Sequence, residues 1–399
     1  MDHDIIVSGG GIAGLTASAA FASAGFDVLC VDPAPPVTAR DAKGADLRST
    51  AFLQPARQLL ADIGLWERLT PHAAPLQIMR IIDAGGPEAE ARMSKEFDAS
   101  DISDLPFGWN LPNWLLRREM AAHLESLPNV TYRTGVGAKT LFTRTSQARV
   151  GLSDGTRVQA RLLVAADGRG SPMREAAGIN VKTTRYGQKA LAFTVTHEVA
   201  HENVSTEIHR TGGPFTLVPL PDFEGKPSSA IVWMEEGPKA KALAEMDVEP
   251  FEEAMNIRSC GVLGTLKLNS ARTIWPIISQ HAEHLSGERI ALVAEAAHVI
   301  PPIGAQGLNM SLNDIRALLD LATTRPEGLG DIAMLDAYHK ARIGDIRLRV
   351  AGITLLNRTS MLSAPPLRDA RAAGLNALYS FAPLRKSIMQ MGLGAKGGA

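Results

Sequence analysis

A chain of 399 residues is long enough for two or three domains and for a core that encloses a large cofactor. Lys+Arg (41) nearly cancels Asp+Glu (42), and a net charge of −1 gives no ground for a nucleic-acid partner. Two cysteines exclude a disulfide framework, and no uncharged apolar run reaches the roughly 18 residues that span a bilayer. The N-terminus MDHDIIVSGGG has neither a basic leader nor a small-residue cleavage site, so the expected compartment is a reducing cytosol.

In chain order, Asp4 to Ser8 is a short apolar strand, a glycine cluster follows, and the Ala-rich stretch Ala13 to Ala24 predicts a helix stopped by Gly25. Asp27 to Val31 is a second strand ending at Asp32, which completes a βαβ opening and predicts a parallel sheet covered by helices. Cys30 lies in this run as a buried structural thiol. Leu76 to Asp83, Ala190 to Glu198, Phe215 to Pro219 and Ser229 to Met234 are β-rich segments bounded by Pro, Gly and Asp. Arg289 to Val293 is another buried strand, followed by a Pro/Gly loop and a helix from about Asn309. From Ile332 the chain reads as helical, with a break at Ser363 to Pro366 and a second helical stretch to about Met391.

The expected fold is α/β: a Rossmann-like dinucleotide-binding domain, discontinuous over 1–75, 98–180 and 273–335. A mixed β-sheet substrate domain over 76–97 and 181–272 is inserted into it, and 336–399 form a helical C-terminal region.

Three motifs carry the chemistry. Gly9, Gly11 and Gly14, with Ile12 and Ala13 between the last two, spell G-x-G-x-x-G between a strand and a helix. There the backbone can approach a pyrophosphate and the helix N-terminus offers N–H groups to it, while Asp32 is placed to accept from an adenosine ribose. The second is the apolar strand Leu162 to Ala166 ending in Asp167-Gly168, followed by Arg169-Gly170-Ser171-Pro172. The third is Ala294-Glu295-Ala296-Ala297-His298, continuing through Pro302 and Gly304 to Gln306-Gly307-Leu308-Asn309.

In this order the three motifs resemble the fingerprints of the para-hydroxybenzoate-hydroxylase-like flavoprotein monooxygenases. Arg48-Ser49-Thr50-Ala51-Phe52, Leu59 to Trp66, Arg371 to Leu375 and Pro383 to Met389 are similar to the ubiquinone-biosynthesis ring hydroxylases. The resemblance implies FAD as cofactor, with Asp167 and Gly168 near the pyrophosphate and Glu295 on the ribityl chain. It also implies that Pro302, Gly304, Gln306, Gly307, Leu308 and Asn309 face the isoalloxazine, and that Arg48 and Arg117 reach the cofactor. Ala294 and Glu295 stand where the family has Gly-Asp, and Gly304-Ala305 inverts its Ala-Gly.

The implied reaction is hydroxylation of the ring of a polyprenylated phenol through a flavin C4a-hydroperoxide, with NAD(P)H or another donor as reductant and molecular oxygen as oxidant. No residue beyond the flavin is assigned a catalytic role. His298 has no second His or Cys at a ligand spacing, so no metal site is expected and the histidine is read as packing beside the cofactor. The alternatives are a flavin monooxygenase for another aromatic substrate and a non-catalytic flavoprotein scaffold. The expected partners are a hydrophobic aromatic small molecule, the inner face of a membrane met peripherally through amphipathic C-terminal helices, and either a second copy in a homodimer or a biosynthetic complex. The stripe behind the membrane reading is Val350 to Leu356, then Leu375, Leu378, Phe381, Leu384, Ile388 and Met389, flanked by Arg368, Arg371, Arg385 and Lys386.

Overall fold

The computed structural model describes residues 1–85, 90–361 and 379–393. The βαβ opening forms as expected: strand His3–Ser8, helix Ile12–Ser23 and strand Val28–Asp32. Ile5, Ile6, Val7, Val28, Leu29 and Val31 are all but inaccessible, because a parallel strand covered on both faces must be apolar throughout. Cys30 is buried with them, and burial pushes its thiol up to about 12.

The first sheet has eight strands, and its parallel core is ordered Ile290–Leu292, Arg157–Ala165, His3–Ser8, Val28–Asp32, Val130–Thr134. Its register decides where the site lies. Leu292 pairs with Ala165, Ala165 with Ser8, and Ser8 with Val31. The three motifs, some 280 residues apart in the chain, therefore leave adjacent strands at the same level of the carboxyl edge, where open α/β sheets bind their ligands.

The second sheet has nine strands, led by Val181–Thr196, Pro214–Phe223, Lys226–Glu236 and Thr273–Ala282. Alternation sorts its side chains onto two faces. Leu191, Phe193, Val195, Phe215, Leu217, Ile231 and Trp233 pack under helices Gly237–Glu245 and Val248–Ser259. Ala190, Met234 and Ile277, with Tyr186, Val232 and Trp275, cluster on the opposite side with Ile303 of the third-motif loop. Strand Thr273–Ala282 belongs to this sheet, pairing antiparallel with Val181–Thr196, whereas the sequence boundary placed it with the dinucleotide-binding part. An apolar strand does not state which of two sheets it joins; the pairing partner does.

Three further strands, Ser49–Leu53, Gly108–Pro112 and Ala74–Leu76, form a small sheet that carries the residues after Arg48. Leu76 to Asp83 is two strands, Ala74–Leu76 and Ile78–Asp83, in different sheets. The long helix Ile332–Ser360 spans both main sheets. Near its start Tyr338 donates to the Leu292 carbonyl at 2.7 Å, and near its end Asn357 donates to Gln188 Oε1 at 2.8 Å. The stripe read as one apolar face divides: Val350 and Ile353 are buried, while Leu355 and Leu356 face outward. In helix Ala382–Leu393 Met389 is buried, and Phe381 just before it is exposed with Leu384 and Ile388. The expected break at Ser363 to Pro366, and Arg368, Arg371, Leu375 and Leu378, lie outside the described residues.

Candidate FAD site

At the first motif Gly9 has φ +108°, which a side chain would strain, and a Cβ on Gly14 would overlap the Gly9 carbonyl oxygen. A Cβ on Gly11 would meet nothing within 4 Å. Two glycines thus allow the turn and helix to close on each other, and the third leaves an open cradle at the helix N-terminus. Ile12, Ala13 and Gly14 form the first turn of that helix, whose N–H groups have no intrahelical carbonyl to pair with. Asp32 sits beside the cradle, its Oδ2 accepting from Gly10 N at 2.5 Å and its Oδ1 from Ala34 N at 2.9 Å.

The second motif is tied to both neighbours. Ser8 Oγ donates to Asp167 Oδ2 at 3.2 Å, and Met173 N donates to the same oxygen at 3.3 Å. Burial raises the Asp167 carboxyl above the usual range against the pull of these bonds. Gly168 turns at φ +85° with open space where a side chain would stand. Arg174, buried at 3% exposure, donates through Nη1 to the carbonyls of Arg169 and Ala296, each at 3.1 Å, and so joins the second motif to the third.

In the third motif Ala294 adopts φ +57°, a left-handed turn that glycine would take without strain, and Glu295 is exposed at the rim. Gly304 (φ +64°) and Ala305 (φ +54°) lead into helix Gln306–Thr324, whose first turn holds Gln306, Gly307 and Leu308. Pro302 is exposed on the same loop. Asn309 plays another part: its Oδ1 accepts from Leu53 N at 2.9 Å and its Nδ2 donates to Ala51 O at 2.8 Å, bracing the small sheet against the helix. The Gln306 amide is likewise engaged with protein groups, accepting from Arg349 Nη1 at 2.6 Å and donating to the Gly304 and Gly392 carbonyls at 3.0 Å. What Gln306 and Asn309 offer a flavin is therefore the backbone they hold. His298 is buried and meets Asp314 Oδ2 at 2.6 Å.

Arg48 is held by Asp46, with Nε to Oδ1 at 2.8 Å and Nη2 to Oδ2 at 2.6 Å. Those hydrogen bonds, with the Asp46 and Glu295 charges, outweigh burial and raise the Arg48 guanidinium above its ordinary value. Asn113 donates to Asp46 Oδ2 at 3.0 Å and accepts from Thr50 at 2.7 Å, and Asn113 N donates to Arg48 O at 2.8 Å. The loop bearing Arg48 is thus stitched to the start of helix Asn113–Glu125, which bears Arg117. Arg118 is engaged with Glu119 at 2.8 Å, whereas Arg117 keeps a buried Nε that has no hydrogen-bond partner among the described residues.

These features test the fit of a dinucleotide. Among the described residues the buried Arg117 Nε, Asp167 Oδ1 and Tyr132 hydroxyl have no hydrogen-bond partner, and the Gly11 cradle is open. Buried polar atoms need partners, and a diphosphate with two sugar chains supplies acceptors and donors of the right kind. The residues present fit FAD. Sequence reasoning missed Asp46, two residues before the Arg48 it holds, and Tyr132, whose hydroxyl lies beside Gly10; it also missed Asn113, Arg174 and Arg349, each of which meets a group distant in the chain. The fold and these converging motifs define a flavoprotein.

Comparison with known proteins agrees. The FAD binding domain family matches residues 2–347. The ubiquinone hydroxylase UbiL of Rhodospirillum rubrum is 32% identical, over 98% of this chain and 89% of that protein. The 3-demethoxyubiquinol 3-hydroxylase of Escherichia coli is 25% identical over 98% of each. Among solved structures, p-nitrophenol 4-monooxygenase PnpA of Pseudomonas putida superposes with a TM-score of 0.80 over 100% of this chain and 99% of that one, at 17% identity, and shares the fold. The chain belongs to the FAD-dependent ubiquinone-biosynthesis ring hydroxylases, a family of aromatic-ring monooxygenases.

Proposed function

We propose that this chain hydroxylates the aromatic ring of a polyprenylated phenol in ubiquinone biosynthesis. The observation that carries the reading is the end-to-end similarity to a ubiquinone hydroxylase, 32% over 98% of the chain. Bound FAD, reduced by NAD(P)H or another donor, would supply oxygen activation and transfer of one oxygen atom to the ring.

The chain's own residues bind and shield. Gly9, Gly11 and Gly14 and the first helix take the pyrophosphate, Asp32 accepts from the adenosine ribose, and Glu295 accepts a ribityl hydroxyl. Arg117 and the Asp167-Gly168 turn approach the cofactor from the other side, and Arg48 stands over Trp275 at 5.6 Å. Loop residues Pro302 and Gly304 face the ring system. The N-terminus of helix Gln306–Thr324 favours negative charge placed against it. The face formed by Ala190, Val232, Met234, Trp275 and Ile277 with Ile303 excludes water from the reacting ring. Along the same sheet face a cavity of about 180 Å³ opens between Trp114, Leu115, Leu220 and Phe223, an apolar space suited to part of a prenyl tail.

Mass spectrometry of quinone intermediates in a deletion strain tests the substrate: one intermediate lacking a single ring hydroxyl should accumulate. An unchanged quinone pool would reject the reading.

Peripheral membrane contact is part of the same proposal. Leu348, Leu355, Leu356, Phe381, Leu384, Ile388 and Met391 are exposed, and Arg358 and Lys386 are exposed among them. Among the described residues no helix is long and apolar enough to cross a membrane. Arg385 takes no part, because its guanidinium pairs with Asp101 at 3.2 Å.

A further inference from the structure

The loop that faces the flavin in the reading above, residues 299–305, begins after His298 and ends at Gln306, and one chain of side chains holds both ends. His298 Nε2 meets Asp314 Oδ2 at 2.6 Å, and Asp314 Oδ1 accepts from Arg342 Nε at 2.8 Å. Arg342 Nη1 donates to Asp345 Oδ2 at 2.9 Å, and Asp345 Oδ1 accepts from Arg349 Nε at 2.8 Å. Arg349 Nη1 then donates to Gln306 Oε1 at 2.6 Å, and Gln306 Nε2 returns to the Gly304 carbonyl inside the loop at 3.0 Å.

The inner half of this relay is deeply buried: Asp314 is inaccessible and the Arg342 side chain is 9% exposed. The outer half is not, with Asp345 at 32% and Arg349 at 23%. Pairs so exposed add little to global stability. The helix that carries them is also fixed without them. Tyr338 and Arg342 tie its first half to the dinucleotide-binding part, and Tyr186 bonds Thr354 at 2.8 Å while Asn357 bonds Gln188 at 2.8 Å beyond. Arg349 is therefore free of the task of docking the helix, and beyond the helix it hydrogen-bonds Gln306.

We infer that Arg349, aimed by Asp345 and acting through Gln306, is a positioning residue that fixes the flavin-facing loop from the long helix. Charge-assisted hydrogen bonds are directional, and a side chain held at two points fixes the one it touches. The loop needs such a hold because two successive left-handed residues, Gly304 and Ala305, sit just before Gln306. Without it the loop keeps its chain path and loses its register against the ring system.

The inference rests on the reading of this loop as the flavin contact, and the experiment separates the two. Purified full-length protein is compared with Arg349→Met, Arg349→Lys and Asp345→Asn, with Arg80→Met as control for loss of an ion pair on the second sheet, 2.7 Å from Glu96. The readouts are FAD affinity by fluorescence quenching, the visible absorption band of bound FAD, and the thermal midpoint of the apoprotein. Arg349→Met should weaken FAD binding about three- to tenfold, the worth of one hydrogen bond, and shift the flavin band, with a thermal midpoint matching the control. Arg349→Lys should recover part of both effects, and Asp345→Asn should move them in the same direction as Arg349→Met; it also serves if Arg349→Met does not fold. Wild-type affinity and spectrum in both Arg349→Met and Asp345→Asn overturn the inference. A wild-type protein that binds no FAD overturns the underlying reading instead.

Discussion

Gly14 stands so close to Gly9 that a methyl group on it would overlap the Gly9 carbonyl oxygen, whereas the equivalent position on Gly11 opens to empty space. The two glycines of one motif therefore fail differently. Gly14→Ala should destabilise the apoprotein by about 1–3 kcal/mol, as overpacking does. Gly11→Ala should leave apoprotein stability within about 0.5 kcal/mol and weaken FAD binding, because the methyl fills the cradle. Urea unfolding of the apoproteins with parallel FAD titrations checks this, and equal stability losses for both would contradict it.

Ala305 and Ala294 both sit at positive φ, +54° and +57°, but only the Ala294 methyl is buried. Relief of the left-handed conformation, offset by glycine's greater freedom in the unfolded chain, should make Ala305→Gly more stable by about 0.5–1 kcal/mol. At Ala294→Gly the lost burial of a methyl, about 0.8 kcal/mol, should cancel that gain. Thermal melts of the two variants should rank in that order.

Glu295 keeps an acceptor at the rim of the site although it is one methylene longer than the family's aspartate. Glu295→Ala should weaken FAD binding by about 1.5–3 kcal/mol, the range for a hydrogen bond to a charged group. An unchanged dissociation constant would place this carboxylate away from the cofactor.

His123 is buried against the Ile63 carbonyl, 3.1 Å from its Nε2, and burial lowers its pKa from 6.5 despite that bond. Below pH 6.5 the unfolded chain takes up a proton that the folded chain refuses, so stability falls with pH until the lower folded value is passed. His123→Gln, which keeps a donor, should flatten this part of the profile of urea midpoint against pH. A profile with the wild-type slope would assign the loss to other groups.

Much of the site was legible because its motifs are local: a glycine turn, an Asp-Gly strand end and a Pro/Gly loop each encode their own backbone. Their convergence followed from the parallel register alone. What could not be read depends on distant partners. Nothing in the sequence tells that Asn113 will brace the Asp46 that holds Arg48, nor that Arg349 will take the Gln306 amide. Thr273–Ala282 has the composition of either sheet, and only its pairing with Val181–Thr196 decides. The apolar run from Val350 to Leu356 looked like one surface because its residues are contiguous, and the helix distributed them over two.

That division sharpens the membrane prediction. Val350, Ile353 and Met389 are buried in the protein, so they cannot enter lipid, and Arg385 is paired with Asp101. The residues left to meet a bilayer are Leu348, Leu355 and Leu356 on the long helix, and Phe381, Leu384, Ile388 and Met391 on or beside the last one. Shallow insertion of such side chains at an anionic surface, assisted by Arg358 and Lys386, gives reversible binding that weakens with salt. Wild-type protein should float with anionic liposomes at low salt and sink at high salt. Leu355→Ser with Leu356→Ser should reduce flotation, and a chain ending at Met361 should reduce it further, while Leu355→Ser with Leu356→Ser retains FAD. Wild-type protein that stays at the bottom at low salt rejects membrane contact, and delivery of the phenol by a partner protein becomes the reading to pursue.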